Sequence, residues 1–226
     1  ASIIYRSIPE LAHKTNFSKD GNEISWGTIG NASTSEGIFF ETINAAGVLQ
    51  VPIILSVWDD EYGISVHAKH QTTKESISEI LKGYQRDENH NGFEILKVQG
   101  WDYPSLIETY EKAADLAREH HVPVVIHVSQ LTQPQGHSSS GSHERYKDEN
   151  RLSWEREFDC IRQMKLWMIA INIASPEEIE EIDIITKKEV LEAKKLAWNA
   201  FQNPIIEEQQ SLIQLLEKVS PSCKNS

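Results

Sequence analysis

The sequence predicts an α/β fold: a parallel sheet flanked by helices, with a C-terminal helical extension. Three observations predict it. From Glu23 to Val128, apolar runs rich in β-branched residues alternate with segments of helical periodicity. That is the pattern of strand–helix–strand units whose sheet is covered on both faces. The chemically versatile residues gather just after the apolar runs. From Trp154 onward the apolar spacing is helical throughout.

The elements follow in order. Glu23 to Ile29 reads as the first strand. Ser35 to Leu49 follows as a helix, because Ile38, Phe39, Ile43 and Ala46, with Val48 or Leu49, form one helical stripe. Val51 to Trp58 is an apolar, β-branched run and so a buried strand. Glu75 to Tyr84 is a short helix, Phe93 to Val98 the third strand, Tyr103 to His120 a long helix and Val122 to Val128 the fourth strand. Leu131 to Asn150 is polar, rich in Ser, Gly, Gln and His, and without period; long loops of this kind inside compact domains are often functional. Ser175-Pro176-Glu177-Glu178 is a helix start, with Ser as N-cap, Pro at the first helical position and Glu at the third. Pro204 is placed to begin a further helix, and the tail SPSCKNS reads as frayed. The expected division is an α/β domain over 1–150, carrying the loop 131–150, and a helical extension over 151–226.

Composition narrows the function. A net charge of −12 argues against general nucleic-acid binding. Cys160 and Cys223 are far apart and lack a partner motif, which argues against a disulfide framework or a zinc site and points to a reducing compartment. The cytoplasm is the expected location. No apolar run approaches the roughly 20 residues of a membrane span, so no membrane partner is expected. The start ASIIYRSIPELAHKTN lacks the basic and apolar segments of a signal peptide.

In an open parallel sheet, ligands bind outside the carboxyl ends of the strands. Strand one ends at Gly30-Asn31-Ala32-Ser33, strand two at Asp59-Asp60-Glu61-Tyr62, strand three at Gly100-Trp101-Asp102, and strand four runs toward Gln133 to His137. A parallel strand–helix–strand unit brings Asn31 and Asp60 side by side. Two oxygen donors beside a helix N-terminus suit a hard divalent cation holding a phosphate group. Each residue alone has a plainer reading. Asn31 is a turn former, Asp59-Asp60-Glu61 a solvated loop cap, and His137 a solvated loop histidine. Their joint placement carries the site. His143 reads as a surface residue and His127 as a core or edge histidine. His120 and His121 read as partners of a helix C-terminus, and Glu36 as a charge at a helix N-terminus. Trp154, Trp167 and Trp198 read as packing residues.

These segments resemble the alpha side of the thiamine-diphosphate-dependent first component of the 2-oxo acid dehydrogenase complexes. In that family a Gly-Asp-Gly turn opens the cofactor motif and an Asn-Asn pair closes it. The matching segments here are Gly30-Asn31-Ala32 and Asp59-Asp60. The family's Ala-Thr-Ser-Glu-Gly is matched by Ser33-Thr34-Ser35-Glu36-Gly37, and its Tyr-Gly-Ile-Ser type segment by Tyr62-Gly63-Ile64-Ser65. The loop motif is matched by Gly136-His137-Ser138 with Tyr146-Lys147, and the segment after it by Trp154 and Asp159-Cys160-Ile161. The similarity covers roughly residues 23 to 200.

The resemblance implies the thiamine-diphosphate-binding fold, thiamine diphosphate as cofactor, and Mg²⁺ or Ca²⁺ as the ion. The metal position falls on Asn31, Asp60 and the Tyr62 carbonyl. Asp plus Asn has become Asn plus Asp, so one carboxylate and one amide remain. Cofactor contacts fall on Gly30, Ala32, Ser33, Ile64, Ser65 and His137, and His137 is also the catalytic candidate. Ala32 stands where the family's glycine admits the diphosphate, and its methyl disfavours positive φ. Implied partners are a pyrimidine-binding beta domain or subunit, a lipoyl-bearing acyltransferase and a 2-oxo acid, with branched-chain acids favoured by resemblance. The reading is a 2-oxo acid dehydrogenase fragment or subunit that is inactive alone and associates through small residues such as Ala45-Ala46-Gly47. Its loop Gln133 to Lys147 is expected to be mobile until cofactor binds. The alternatives are a non-catalytic relative with a degenerate motif, or a transketolase-like transferase.

Overall fold

The computed structural model describes residues 1–14, 16–137 and 142–223. They form two compact units, Ala1–Trp167 and Met168–Ser226. The first begins with two short helices, α1 (Ser2–Ser7) and α2 (Pro9–Ala12). It then builds a four-stranded sheet from β1 (Ser25–Gly30), β2 (Ile53–Trp58), β5 (Glu94–Gln99) and β6 (Val124–Ser129). A small antiparallel hairpin, β3 (Tyr62–Gly63) with β4 (Val66–His67), follows β2 directly. The sheet order is β1-β2-β6-β5 and every pair is parallel. All four carboxyl ends therefore lie along one edge.

Helices cover both faces. On one face α3 (Gly37–Leu49) buries Phe39, Ile43 and Ala46 against Val57, Phe93 and Val125, joined by Ile77 and Leu81. On the other, α5 (Tyr103–His120) buries Ala113 and Ala117 against Ile54, Val98, Val124, Ile126 and Val128. Strand β6 is buried at every position, as a central parallel strand should be. Each such Val, Ile or Phe contributes about 1.5–3 kcal/mol of transfer free energy. Helix α5 matches its expected span because its start signal is local: Asp102 accepts the Ser105 N–H at 3.2 Å and the Ser105 hydroxyl at 2.7 Å.

Several expectations need correction. The segment Glu75 to Tyr84 is one turn of α-helix, α4 (Ile77–Ile80), between 3₁₀ turns at Thr73–Glu75 and Leu81–Tyr84, since Lys74 and Glu75 are left-handed. Of the small residues expected to meet a partner, Ala46 is buried in this unit's own core. A Cβ on Gly47 would sit 3.5 Å from the Phe93 ring. The loop before residue 150 is partly ordered by a 3₁₀ turn at His143–Arg145, and α6 (Glu149–Glu157) begins inside it. Helix α7 runs from Cys160 to Ala170.

The second unit is dominated by α8 (Pro176–Cys223), 48 residues long. Its capping box forms: Glu178 N–H donates to Ser175 Oγ at 3.2 Å, and Ser175 N–H donates to Glu178 Oε2 at 2.8 Å. The helix runs through Pro204 instead of restarting there, and it takes in Ser220 to Cys223, expected as frayed tail. Proline has no N–H for the Ala200 carbonyl, a loss of about 3 kcal/mol, but the Leu-, Ala-, Glu- and Gln-rich flanks are strong helix formers. Trp198, expected to pack, is 57% exposed. Among the described residues, no helix is long and apolar enough to cross a membrane.

Candidate functional site

The chain leaves β1 at Gly30 and turns at once. Asn31 N–H donates to the Trp58 carbonyl at 3.0 Å, which ties this turn to the end of β2. Residues Ala32–Ser35 form a 3₁₀ turn, closed by Thr34 N–H and Oγ1 on the Asn31 carbonyl at 3.2 and 2.6 Å. Ala32 is not left-handed, so a methyl there fits the backbone. Glu36, in extended conformation, is the N-cap of α3.

The chain leaves β2 through Asp59 and Asp60. Glu61 N–H donates to Asp59 Oδ1 at 2.8 Å, and Tyr62 N–H donates to Asp60 Oδ1 at 3.2 Å. Two consecutive Asx turns thus lead into the hairpin, with Glu61 left-handed at φ 67°. The hairpin's two-residue loop is Ile64-Ser65, and Ile64 has φ 58°. A β-branched residue in that region is strained by about 1–3 kcal/mol. Ile64 is also 58% exposed. An exposed, strained apolar side chain at a tight turn is a marker of function. The hairpin lies close to the first turn: a Cβ on Gly63 would come within 2.7 Å of the Ala32 Cβ.

These two segments and the stretch after β6 enclose a cleft of about 790 Å³. It is lined by Gly30, Asn31, Ala32, Ser33, Asp60, Tyr62, Ile64 and His137, together with Glu36, Trp58, Gly63, Gln71, Leu131, Thr132, Gln133 and Cys160. Strand-end placement therefore brings the expected residues together, apart from Ser65, which is exposed at the second hairpin position and does not line the cleft. Ser138 lies outside the described residues. Asn31 is buried, and no side-chain atom comes nearer than 3.9 Å to the position a Cβ on Gly30 would take, that atom being Ser33 Oγ. This leaves room beside the turn.

Burial pushes the Asp60 carboxyl above its ordinary range. The Tyr62 N–H, Lys147 and Arg151 work against that shift, and neighbouring Asp59 adds to it. A cation in the cleft would relieve this. Among the described residues no three His, Cys, Asp or Glu side chains gather as a metal-binding group. The donor set here is one carboxylate, one amide and the backbone, which suits a hard ion that shares its shell with phosphate and water.

A charged network behind the hairpin was not foreseen. Lys147, buried, reaches both Glu155 oxygens at 2.7 and 3.0 Å. Arg151 bonds Glu155 at 2.8 Å, the Asp60 carbonyl at 2.8 Å and the Glu61 carboxylate. Lys147 and Arg151 also lie over the Tyr62 ring, at 5.1 and 5.5 Å. Burial raises the Tyr62 phenol, with Arg151 opposing. The only local signal was the Arg151/Glu155 i,i+4 spacing on α6. His143, expected at the surface, turns inward: its Nδ1 is buried and 3.9 Å from Glu155.

Asp59 turns away from the cleft. Its Oδ2 meets His127 Nε2 at 2.8 Å, and His127 Nδ1 meets Ser78 Oγ at 2.8 Å, all three residues buried. His127 is thus a core histidine, as read, but one with two polar partners. A second cleft of about 640 Å³ opens on this side, lined by Asp59, Glu75, Lys97, Gln99, Asp102, Glu108, His127 and Ser129 among others.

The chain matches the family described as "Dehydrogenase E1 component" over residues 9–205. It is 22% identical over 179 residues to the pyruvate dehydrogenase E1 component subunit alpha of Rickettsia bellii, covering 79% of this chain and 52% of that protein. It is 28% identical over 188 residues to the somatic, mitochondrial alpha subunit of Pan troglodytes, covering 83% and 45%. It is also 28% identical over 198 residues to the testis-specific form of Rattus norvegicus, covering 86% and 47%. The chain spans about half the length of these curated relatives.

Proposed function

The chain belongs to the dehydrogenase E1 component family, and from that premise we propose that its first unit holds thiamine diphosphate and a divalent cation for a 2-oxo acid dehydrogenase, on the alpha side. The observation that carries this is a single cleft. Asn31, Asp60, Tyr62, Ile64 and His137 come from separate strand ends and line it together. The residues fit the group. The turn at Gly30 leaves space beside it, Ala32 is not left-handed, and Asp60 is a half-buried carboxylate whose charge a cation would compensate.

When bound, thiamine diphosphate supplies the electron sink for decarboxylating a 2-oxo acid. This chain's residues bind and orient it. Asn31 and Asp60 offer side-chain oxygens to the ion, and Tyr62 its carbonyl. Ile64, at its left-handed turn position, would present an exposed apolar side chain to the cofactor. Trp58, Leu131 and Ile64 give the cleft an apolar part of its lining, and His137, also on the lining, would be placed to hold or move a proton beside the bound group. A beta subunit or domain would complete the cofactor's binding site, and a lipoyl-bearing acyltransferase would take the acyl group. Similarity to pyruvate dehydrogenase alpha subunits supports pyruvate as the substrate, ahead of the branched-chain acids that resemblance alone favoured.

Calorimetric titration of the protein with thiamine diphosphate, with and without Mg²⁺, is the test. Saturable binding that needs Mg²⁺ is the expected result. No binding at millimolar cofactor in the presence of a beta partner would leave a non-catalytic relative as the reading.

A further inference from the structure

We propose that His127 is a positioning residue for the cation, acting through Asp59; the proposal rests on the cofactor reading above. Each polar atom of Asp59 is engaged. Its N–H donates to the Val128 carbonyl at 2.9 Å, and its carbonyl accepts the Leu131 N–H at 3.0 Å. Oδ1 accepts the Glu61 N–H at 2.8 Å, and Oδ2 meets His127 Nε2 at 2.8 Å. A carboxylate only accepts, so Nε2 carries a proton, and Nδ1 shares a hydrogen bond with the Ser78 hydroxyl at 2.8 Å. The ring orientation is thereby set from both sides, in a site where His127 is 1% exposed.

The consequence falls on the next residue. Glu61 is left-handed and non-glycine, a conformation that persists only where its surroundings over-determine it. Asp59 Oδ1 supplies one such restraint, beside the Ala68 N–H on the Glu61 carbonyl at 2.8 Å and Arg151 on its carboxylate, and His127 keeps Asp59 turned toward Glu61. Between Asp59 and Glu61 stands Asp60, whose carboxylate faces the proposed ion. The line from Ser78 through His127 and Asp59 to the Glu61 amide therefore helps set where the Asp60 carboxylate points, together with the Tyr62 N–H on Asp60 Oδ1 at 3.2 Å. It works as outer-shell hydrogen bonds do at metal sites, by orienting a ligand without touching the ion.

Two variants separate the roles. His127→Leu fills the volume without a donor. His127→Gln keeps an N–H near the position of Nε2. Two measurements are made on each: hydrogen exchange at the Glu61 and Tyr62 amides without ligand, and the Mg²⁺ concentration for half-maximal thiamine diphosphate binding. In His127→Leu, exchange should quicken and the Mg²⁺ requirement rise by at least about tenfold, and His127→Gln should return both to within about threefold of wild type. Wild-type behaviour of His127→Leu in both measurements, or failure of His127→Gln to restore either, overturns the proposal. If wild type binds no cofactor, the functional reading falls and the exchange comparison alone decides whether His127 holds the turn. If His127→Leu does not fold, Ser78→Ala takes its place: a smaller shift in the same direction supports the assignment, and unchanged exchange overturns it.

Discussion

Asp59 and Asp60 are neighbours in the chain, and they line different clefts on the same edge of the sheet. The cleft of Asp59 is the richer in acid, with Glu61, Glu75, Asp102 and Glu108 around it. Most of those groups already have work. Asp59 is held by His127, Asp102 caps α5 and Glu61 pairs with Arg151. The cleft of Asp60 has fewer carboxylates, but its walls are a buried Asn31, a strained Ile64 and the indole of Trp58. The difference is that Asp60 has, among the described residues, only the Tyr62 N–H on its carboxylate, at Oδ1, in a strained and partly apolar setting, and it is this cleft that the proposal assigns to the ion. The number of acidic side chains is a poor guide.

The sharpest break of that contrast is to remove each carboxylate in turn. Asp60→Ala should cut Mg²⁺-dependent cofactor affinity by more than the about 100-fold typical of outer-shell losses, with the melting temperature unchanged or higher. Asp59→Ala leaves the buried His127 N–H and the Glu61 N–H without partners. It should cost about 3 kcal/mol of stability, or roughly 6–12 °C in melting temperature. Calorimetry and thermal scans check both, and reversed outcomes would reverse the two roles.

How much of this could be read from the sequence depends on the range of the interaction. Strand ends, the span of α5 and the capping box at Ser175 and Glu178 rest on neighbours a few positions apart, and all are legible. The gathering of Asn31, Asp60 and Ile64 was legible because parallel connections send successive strand ends to one edge. The inward turn of Asp59 was not, since its partner His127 lies 68 positions away. Nor was the Lys147–Glu155–Arg151–Glu61 network, which depends on how α6 meets the hairpin. Pro204 is a local stop signal that its helix-forming flanks override.

The contrast also has a pH dependence. Burial, the largest cause, raises the folded-state Asp60 pKa. Between the ordinary carboxylate range and the raised value, folded protein binds more protons than unfolded. The apo protein should thus lose stability from this group as pH rises through that window. Over the same window cation binding should strengthen as the proton leaves. Asp60→Asn should flatten both profiles, and a Mg²⁺ affinity independent of pH there would remove Asp60 from the ion's shell.

The smallest effect concerns strain. Ile64→Gly removes a side chain that is uncomfortable at positive φ, and the entropy of glycine offsets part of the gain. Stability should change by less than about 1 kcal/mol, while cofactor affinity falls because the apolar prop is gone. A large destabilisation would mean that Ile64 serves the fold and not the ligand.

The most direct test of the central claim is to locate the ion. Mn²⁺ replaces Mg²⁺ in crystals grown with thiamine diphosphate, and the anomalous difference map is read at both clefts. The account predicts one strong peak about 2.0–2.3 Å from the Asn31 and Asp60 side-chain oxygens and the Tyr62 carbonyl. A peak among Asp102, Glu75 and Glu108 instead, or none in the presence of bound cofactor, would contradict it.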